Sequence, residues 1–293
     1  MKRKVLFVAS LFLATATFAQ DGLTSKKGEA YLPEAGDWSI GIDANPILNY
    51  AGNLFSGSTA ANTIGAGATW HNPNMAIYGK MFKDETTAYR GMLRIGFGST
   101  TTTNIFDTSS TTTPVELTDE MKTSYNNIVL GGGIEKRRGN TRIQGVYGGM
   151  IMIGFGGSST TYDYGHTFSD ATGGAQWTDF STPLPGGGYA TTTGNGPRET
   201  ERKNGSTFML GLQGFIGVEW FFAPKVSLGA EYTWGLAMNS RGEGEVTSEG
   251  WGLATPSATE NSLITTTNKT GKQSSFGLDT GISGANISLN FHF

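Results

Sequence analysis

The sequence predicts an all-β protein, an antiparallel up-and-down β-barrel of eight strands that crosses a membrane. Three observations carry this prediction. Apolar and polar side chains alternate with period two in eight segments. The connections between these segments are short and long in turn, as in a transmembrane barrel with short periplasmic turns and four long extracellular loops. Charged residues also share one face of each segment, which keeps them away from lipid.

The N-terminus has the pattern of an export signal. Basic residues at positions 2–4 precede an apolar run at positions 5–18, which closes on small residues. We therefore expect residues 1–19 to be a signal peptide that directs the protein to the bacterial cell outer membrane. An inner-membrane anchor is the alternative, but the run is shorter than the roughly 20 apolar residues of a spanning helix.

The composition favours strands and turns and excludes several classes of function. The chain has 44 glycines and no cysteine, so a disulfide framework is excluded. Glycine and threonine at high density favour extended structure and turns over helices. Without the three basic residues of the signal, 18 basic residues face 24 acidic ones, a formal charge of about −6. This acidic balance gives no reason to expect nucleic acid as a partner.

The predicted barrel occupies residues 38–293 and follows a short N-terminal periplasmic segment, residues 20–37. Its strands are expected within WSIGIDA (38–44), MAIYGKMF (75–82), TAYRGMLRIGFG (87–98), NNIVLGGGIE (126–135), RIQGVYGGMIMIGF (142–155), TFMLGLQGFIGVEWFF (207–222), VSLGAEYTWGLA (226–237) and SFGLDTGISGANISLNFHF (275–293). The apolar positions of the last segment change parity along its length. We therefore expect a β-bulge near residues 281–284.

The connections sort into two kinds. Short turns are expected at residues 83–86, 136–140 and 223–225, and long loops at residues 47–74, 100–124, 157–205 and 239–273. In the turn KRRGN, Gly139 and Asn140 are expected to supply positive φ angles. Threonine runs in the loops could form strand extensions above the membrane. A ten-stranded barrel stays open as an alternative if TIGAGATW (63–70) and another loop segment also pair.

The inward faces of the strands carry charges of both signs. The predicted lumen ion-pair cluster comprises Lys80, Arg90, Arg94, Glu135, Arg142, Glu219 and Glu231, with Tyr78, Met150, Met152 and Phe215 as bulky fillers. An eight-stranded barrel leaves an interior just wide enough for side chains, so these charges should pair and close it. Glu135 and Arg142 flank one turn and are the first pair expected. A gated ion path through the same residues is the alternative.

The final segment carries a resemblance to a known family. NISLNFHF alternates strictly and places Phe291 and Phe293 on one face. With the strand pattern, this resembles the small eight-stranded outer-membrane barrels of the OmpA and OmpX type. The resemblance implies that Phe293 and Phe291 act as the assembly signal for the barrel-assembly machinery. It also implies a setting of outer-membrane lipid and lipopolysaccharide. The long loops, rich in threonine and glycine, depart from this class.

The loops are the large variable surface and therefore the expected functional one. YDYGHTF and WTDFSTPLPGGGY combine aromatic and hydrogen-bonding residues, as binding surfaces do. We expect a monomer that presents loops for recognition, adhesion or envelope integrity to an unknown surface ligand. The alternative is a narrow pore or small-molecule conduit. A third reading is a lipid-modifying or proteolytic enzyme at the rim.

The enzyme reading has little support. Serine and aspartate are present near the rim, but His71, His166 and His292 are scattered and no serine lies in a GxSxG context. Histidines at such distances do not make a metal site. We therefore expect no catalytic residues, no metal and no cofactor.

Overall fold

The structure, a computed structural model, describes residues 23–44, 77–108, 114–169 and 174–293. The predicted signal peptide and the segment TIGAGATW lie outside these residues. The described chain is all-β, and none of it forms a helix long and apolar enough to cross a membrane. Its strands are β1 (Trp38–Asp43), β2 (Ile77–Asp84), β3 (Thr87–Asp107), β4 (Glu116–Arg138), β5 (Ile143–Asp163), β6 (Ala175–Pro183), β7 (Tyr189–Gly194), β8 (Arg198–Ala223), β9 (Val226–Arg241), β10 (Gly244–Leu253), β11 (Asn261–Thr270) and β12 (Gln273–His292).

The large antiparallel sheet closes into a ring. The pairing runs from β1 through β2, β3, β4, β5, β8, β9 and β12 and returns to β1. The hairpin of β10 and β11 continues the sheet beyond β8, and β6 pairs with β7 in a separate two-stranded sheet. The predicted total of eight strands is therefore wrong, because the described residues contain twelve. The four additional strands come from the regions 157–205 and 239–273, for which the sequence predicts loops.

Threonine-rich sequence explains much of this difference. Threonine is β-branched and favours extended backbone, so these stretches continue strands and do not interrupt them. β3 and β4 run for 21 and 23 residues, and their pairing covers most of the predicted loop 100–124. The expectation of a strand extension is confirmed for the threonine run at 100–103, which lies within β3. The runs at 191–193 and 265–267 lie in β7 and β11, which are separate strands and extend none of the predicted ones. The run at 111–113 lies outside the described residues.

Two of the short turns lie where the sequence places them, whereas the turn between β4 and β5 occupies residues 139–142 and not 136–140. Gly139 has φ +133°, as predicted, but in the described chain Lys225, with φ 57°, is the only non-glycine residue with positive φ. The positive φ expected at Asn140 is therefore wrong. Lys225 lies in a different turn, the tight turn between β8 and β9, and has a positive φ there. The predicted bulge in β12 is confirmed, because its register against β9 shifts between Asp279 and Gly284.

The wall of the ring is apolar outside and polar inside. One row of residues in register across six neighbouring strands is exposed on the outer face: Leu93, Leu130, Ile153, Leu210, Met238 and Phe276. On β8, the outward Leu212 is 55% exposed, whereas the inward Glu219 is 1% exposed. A water-soluble barrel has the opposite distribution, since apolar burial drives its folding.

Candidate functional site: the polar interior of the barrel

Six buried charged residues fill the end of the barrel nearest the short turns. This ion-pair plug consists of Lys80 on β2, Arg90 on β3, Glu135 and Arg137 on β4, Glu219 on β8 and Glu231 on β9. The cations and the carboxylates are equal in number, so the plug is formally neutral. The strands deliver these residues to one place because the ring closes and period two points all of them inward.

Glu135 lies at the centre of the plug. Its carboxylate oxygens lie 3.0 Å from Lys80 Nζ, 3.5 Å from Arg90 Nη1 and 2.8 Å from Arg137 Nη1. The Glu135 side chain is fully buried. A carboxylate so far from water is stable in its charged form only with such partners.

Glu219 is the second centre and connects the plug to the last strand. Arg137 Nη1 lies 2.6 Å from Glu219 Oε2, and Lys80 Nζ lies 3.2 Å from it. The other oxygen, Oε1, accepts hydrogen bonds from Ser227 Oγ at 2.6 Å and Asn290 Nδ2 at 3.0 Å. Buried ion pairs are stable when such neutral donors satisfy the remaining lone pairs.

Aromatic rings and glycines complete the packing of the plug. The Arg90 guanidinium lies over the ring of Phe215, 4.2 Å from its centroid. Phe82 and Phe221 flank Arg137 at 5.2 and 5.6 Å. The Phe215 ring fits only because residue 148 on β5 is glycine: a Cβ on Gly148 would lie 2.7 Å from the ring. The rings therefore fill the space that the ion pairs leave.

The predicted lumen cluster is brought together only in part. Lys80, Arg90, Glu135, Glu219 and Glu231 meet in the plug, and the fillers Met150 and Phe215 are buried.

The expected pair of Glu135 with Arg142 is wrong. In the described residues Glu135 pairs with Lys80, Arg90 and Arg137, while the Arg142 guanidinium lies over the Tyr31 ring at 3.7 Å. The physical reason is the position of the turn. β4 continues to Arg138, so the inward residue nearest the turn is Arg137. Arg94 lies further along β3, in register with Val129, above the plug.

Sequence reasoning missed four residues of the plug and its shell: Arg137, Ser227, Asn290 and His292. Arg137 was assigned to the turn KRRGN, although it lies two residues from Glu135 and therefore on the same strand face. Strand parity also places Ser227 and Asn290 inward. His292 is buried near the turn end of the barrel, between the rings of Phe82 and Phe221.

Above the plug lies a layer of methionines, and above that the lumen opens. A Cβ at Gly131 would lie 3.2 Å from Met150 Cε and from Met92 Cβ and 3.4 Å from Met152 Cγ, so these side chains pack against bare backbone. The next residues along the strands line a cavity of about 640 Å³. We call this cavity the vestibule.

Beyond the barrel, residues of the strand extensions and of the connections between them pack around Arg198. We call this unit the cap; its central residues are Asp119, Tyr164, Gly165, His166, Phe168, Gln176, Thr178, Arg198 and Glu249. The Arg198 guanidinium lies 4.3 Å from the Tyr164 ring centroid and 4.6 Å from that of Phe168. Arg198 Nε and Nη2 donate to Glu249 Oε1 at 2.8 and 2.6 Å. Burial raises the pKa of the Tyr164 hydroxyl, which donates to a backbone oxygen at 2.7 Å. The cap is therefore an ordered unit.

The residues singled out as binding candidates in YDYGHTF and WTDFSTPLPGGGY belong to this cap. His166 Nδ1 accepts a hydrogen bond from the Gln176 amide at 2.9 Å. Asp119, which is fully buried, accepts from the Gly165 and Thr178 amides at 2.8 and 2.6 Å. These groups hold the cap together. Many aromatic and polar side chains of the two segments therefore make contacts within the protein.

Comparisons with family models, with curated proteins and with solved structures gave no match to this chain.

Proposed function

We propose that this protein is an integral outer-membrane β-barrel whose lumen is closed by the ion-pair plug and whose sheet extensions present a folded recognition or adhesion surface. The observation that carries the proposal is the inverted side-chain distribution. Apolar residues cover the outer wall, and five of the seven buried lysine, arginine, aspartate and glutamate residues in the described chain lie inside the barrel. The other two, Asp119 and Arg198, lie in the cap. Lipid is the environment that such a wall fits, because the barrel pairs its own backbone groups and exposes only apolar side chains.

The height of the apolar band supports the same proposal. On β4, all outward residues between Asn126 and Lys136 are apolar or glycine: Ile128, Leu130, Gly132 and Ile134. The two polar residues that bound this stretch, Asn126 and Lys136, are ten residue steps of roughly 3.3 Å apart, which at a tilt of about 40° places them about 25 Å apart across the wall. This is the height of the apolar band of outer-membrane barrels.

The plug supports a barrel that does not conduct. Its charges are buried, paired and neutral in sum, and aromatic rings fill the space around them. An ion that enters would have to break several of these pairs, which is costly in a medium of low dielectric constant. We therefore assign the function to the surfaces outside the membrane, with lipopolysaccharide and lipid as surroundings and a monomer as the working unit.

Two measurements on the refolded protein test this proposal. A folded barrel should migrate differently on a gel before and after heating, and in a planar bilayer it should show no discrete openings. A second candidate function, a small-molecule conduit, is favoured by the vestibule above the plug. Discrete openings that Arg90→Ala enlarges would support the conduit and contradict the closed barrel. Failure to insert into bilayers would contradict both.

A further inference from the structure

Ten of the eighteen residues that line the vestibule form two rows that face the same side of the wall. Its upper row comprises Asn127, Gly156, Thr207, Arg241 and Gln273, in register on β4, β5, β8, β9 and β12. Its lower row comprises Val129, Gly154, Met209, Asn239 and Ser275 in the same order. Both rows share the inward face with the plug, since period two keeps parity along each strand.

Glycines on β5 make the room for this cavity. A Cβ at Gly156 would lie 2.9 Å from Thr207 Oγ1, and one at Gly154 would lie 3.1 Å from Met209 Cε. Both distances are shorter than ordinary van der Waals contact. The wall thus stays thin at two positions, and about 640 Å³ remain open above the methionine layer. This volume lies within the range of small-ligand sites.

The lining has a distinct chemistry. Nine of its eighteen lining residues carry an amide or a hydroxyl, with Asn127, Asn239 and Gln273 among the amides and Thr207 among the hydroxyls. Each amide offers both donors and acceptors, which suits a ligand that carries many hydroxyl groups. A second cavity, of about 590 Å³, shares part of this lining. It adds Tyr125, whose ring offers an apolar surface, and the charged residues Lys203, Glu243 and Glu245.

Charge narrows the ligand class further. No aspartate or glutamate is among the residues that line the vestibule, and Arg241 is its one cation. In the described part of the chain, Arg241 forms no ion pair and no side-chain hydrogen bond, although nine other lysine and arginine residues pair with carboxylates there. A guanidinium with five free donors recognises a carboxylate or phosphate by two parallel hydrogen bonds.

We propose that the vestibule binds a small hydroxyl-rich ligand with a single anionic group, a carbohydrate acid or a phosphorylated sugar. Arg241 holds the anionic group, and Asn127, Asn239 and Gln273 hold the hydroxyls. This proposal rests on the proposed function only in that the barrel must be folded. Because the plug and the methionine layer close the lumen below the vestibule, a ligand can bind in the vestibule but cannot pass through the barrel.

Calorimetric titration of the refolded barrel in neutral detergent tests the proposal. The probes are glucuronate, glucose 6-phosphate, glucose and glucosamine. At least one anionic sugar should bind with a Kd of about 1 mM or tighter, and glucose and glucosamine should bind at least about tenfold more weakly. Added salt should weaken the binding of the anion, since the contact with Arg241 is accessible to solvent.

Two pairs of matched variants locate the site. Arg241→Gln should remove the preference for the anion, whereas Lys269→Gln, on exposed β11, should leave it unchanged. Ser275→Trp should abolish binding by filling the cavity, whereas Ser274→Trp, on the opposite strand face, should not. The heat-modifiable gel band confirms folding of each variant.

Three outcomes would overturn the proposal. These are a folded barrel that binds neither anionic sugar, equal binding of charged and neutral sugars, and full binding by Ser275→Trp. The first two would identify the vestibule as a water-filled mouth, and the third would place the binding elsewhere. If the protein gives no heat-modifiable band, the proposed function is contradicted. A folded protein that binds no sugar contradicts only the proposed ligand site, so the two failures are distinguishable.

Discussion

Replacement of Glu135 by glutamine measures the energy of the ion-pair plug directly. The substitution keeps the shape of the side chain and removes its charge. Glu135 is fully buried and has three cations within 3.5 Å, of which Lys80 is 4%, Arg90 8% and Arg137 3% exposed. Loss of the carboxylate leaves the plug with one excess positive charge and no water to screen it. Breaking a buried pair in this way costs about 3–5 kcal/mol.

The assay is denaturant unfolding of the refolded barrel in lipid vesicles, followed by tryptophan fluorescence and by the heat-modifiable band. Glu135→Gln should lower the free energy of unfolding by that amount. The double variant Glu135→Gln with Lys80→Met restores neutrality and should recover at least about half of the loss, since a neutral replacement of a whole pair is often tolerated.

A surface pair supplies the control. Glu199 pairs with Arg202, whose side chain is 45% exposed. Because exposed pairs contribute little, Glu199→Gln should cost less than about 1 kcal/mol. If Glu135→Gln stays within about 0.5 kcal/mol of the parent protein, the buried charges do not depend on one another and our account of the plug fails.

Three further predictions concern the wall, the packing and the turn end of the barrel. Leu212→Arg on the outer face should cost about 2–4 kcal/mol in vesicles, whereas Gln213→Arg on the inner face should cost less; equal costs would mean that the strand faces are misassigned. Gly217→Val should destabilise the barrel by about 1–3 kcal/mol or more, because its Cβ would overlap a backbone oxygen of β9; an unchanged unfolding midpoint would contradict that close approach. Partial burial opposes charge on Asp37, but hydrogen bonds from Lys225 and a backbone amide outweigh it and hold the Asp37 pKa below 3.8. Its stabilisation is therefore present above about pH 4 and lost as pH falls further, and Asp37→Asn should reduce the fall in the unfolding midpoint between about pH 5 and about pH 3.

The outer and inner faces of the strands were predictable because they depend on local parity. Leu93, Ile153 and Leu210 lie outward and are exposed, because each has the opposite parity to a charged or polar residue elsewhere on its own strand. The bulge in β12 was predictable for the same reason, since a change of parity within one strand requires an extra residue.

The partners inside the barrel were less predictable. The alternation of side chains along a strand predicts that Glu135 and Arg142 both face the interior. It does not predict how far apart the two side chains lie along the barrel axis. That distance depends on where β4 ends and on the register with β5. The cap was also beyond local reasoning, because Arg198 meets Tyr164 and Glu249 from strands far apart in sequence.

The position of the plug has a consequence for biogenesis. The partners of Glu219 come from β2, β4, β9 and β12, so the group is complete only when the last strand has joined the sheet. A partly assembled sheet would present uncompensated charge to the bilayer interior, which lipid strongly disfavours. In the proposed membrane setting the plug would therefore act as a checkpoint for closure, because release into lipid would be favourable for the finished ring and unfavourable for its intermediates.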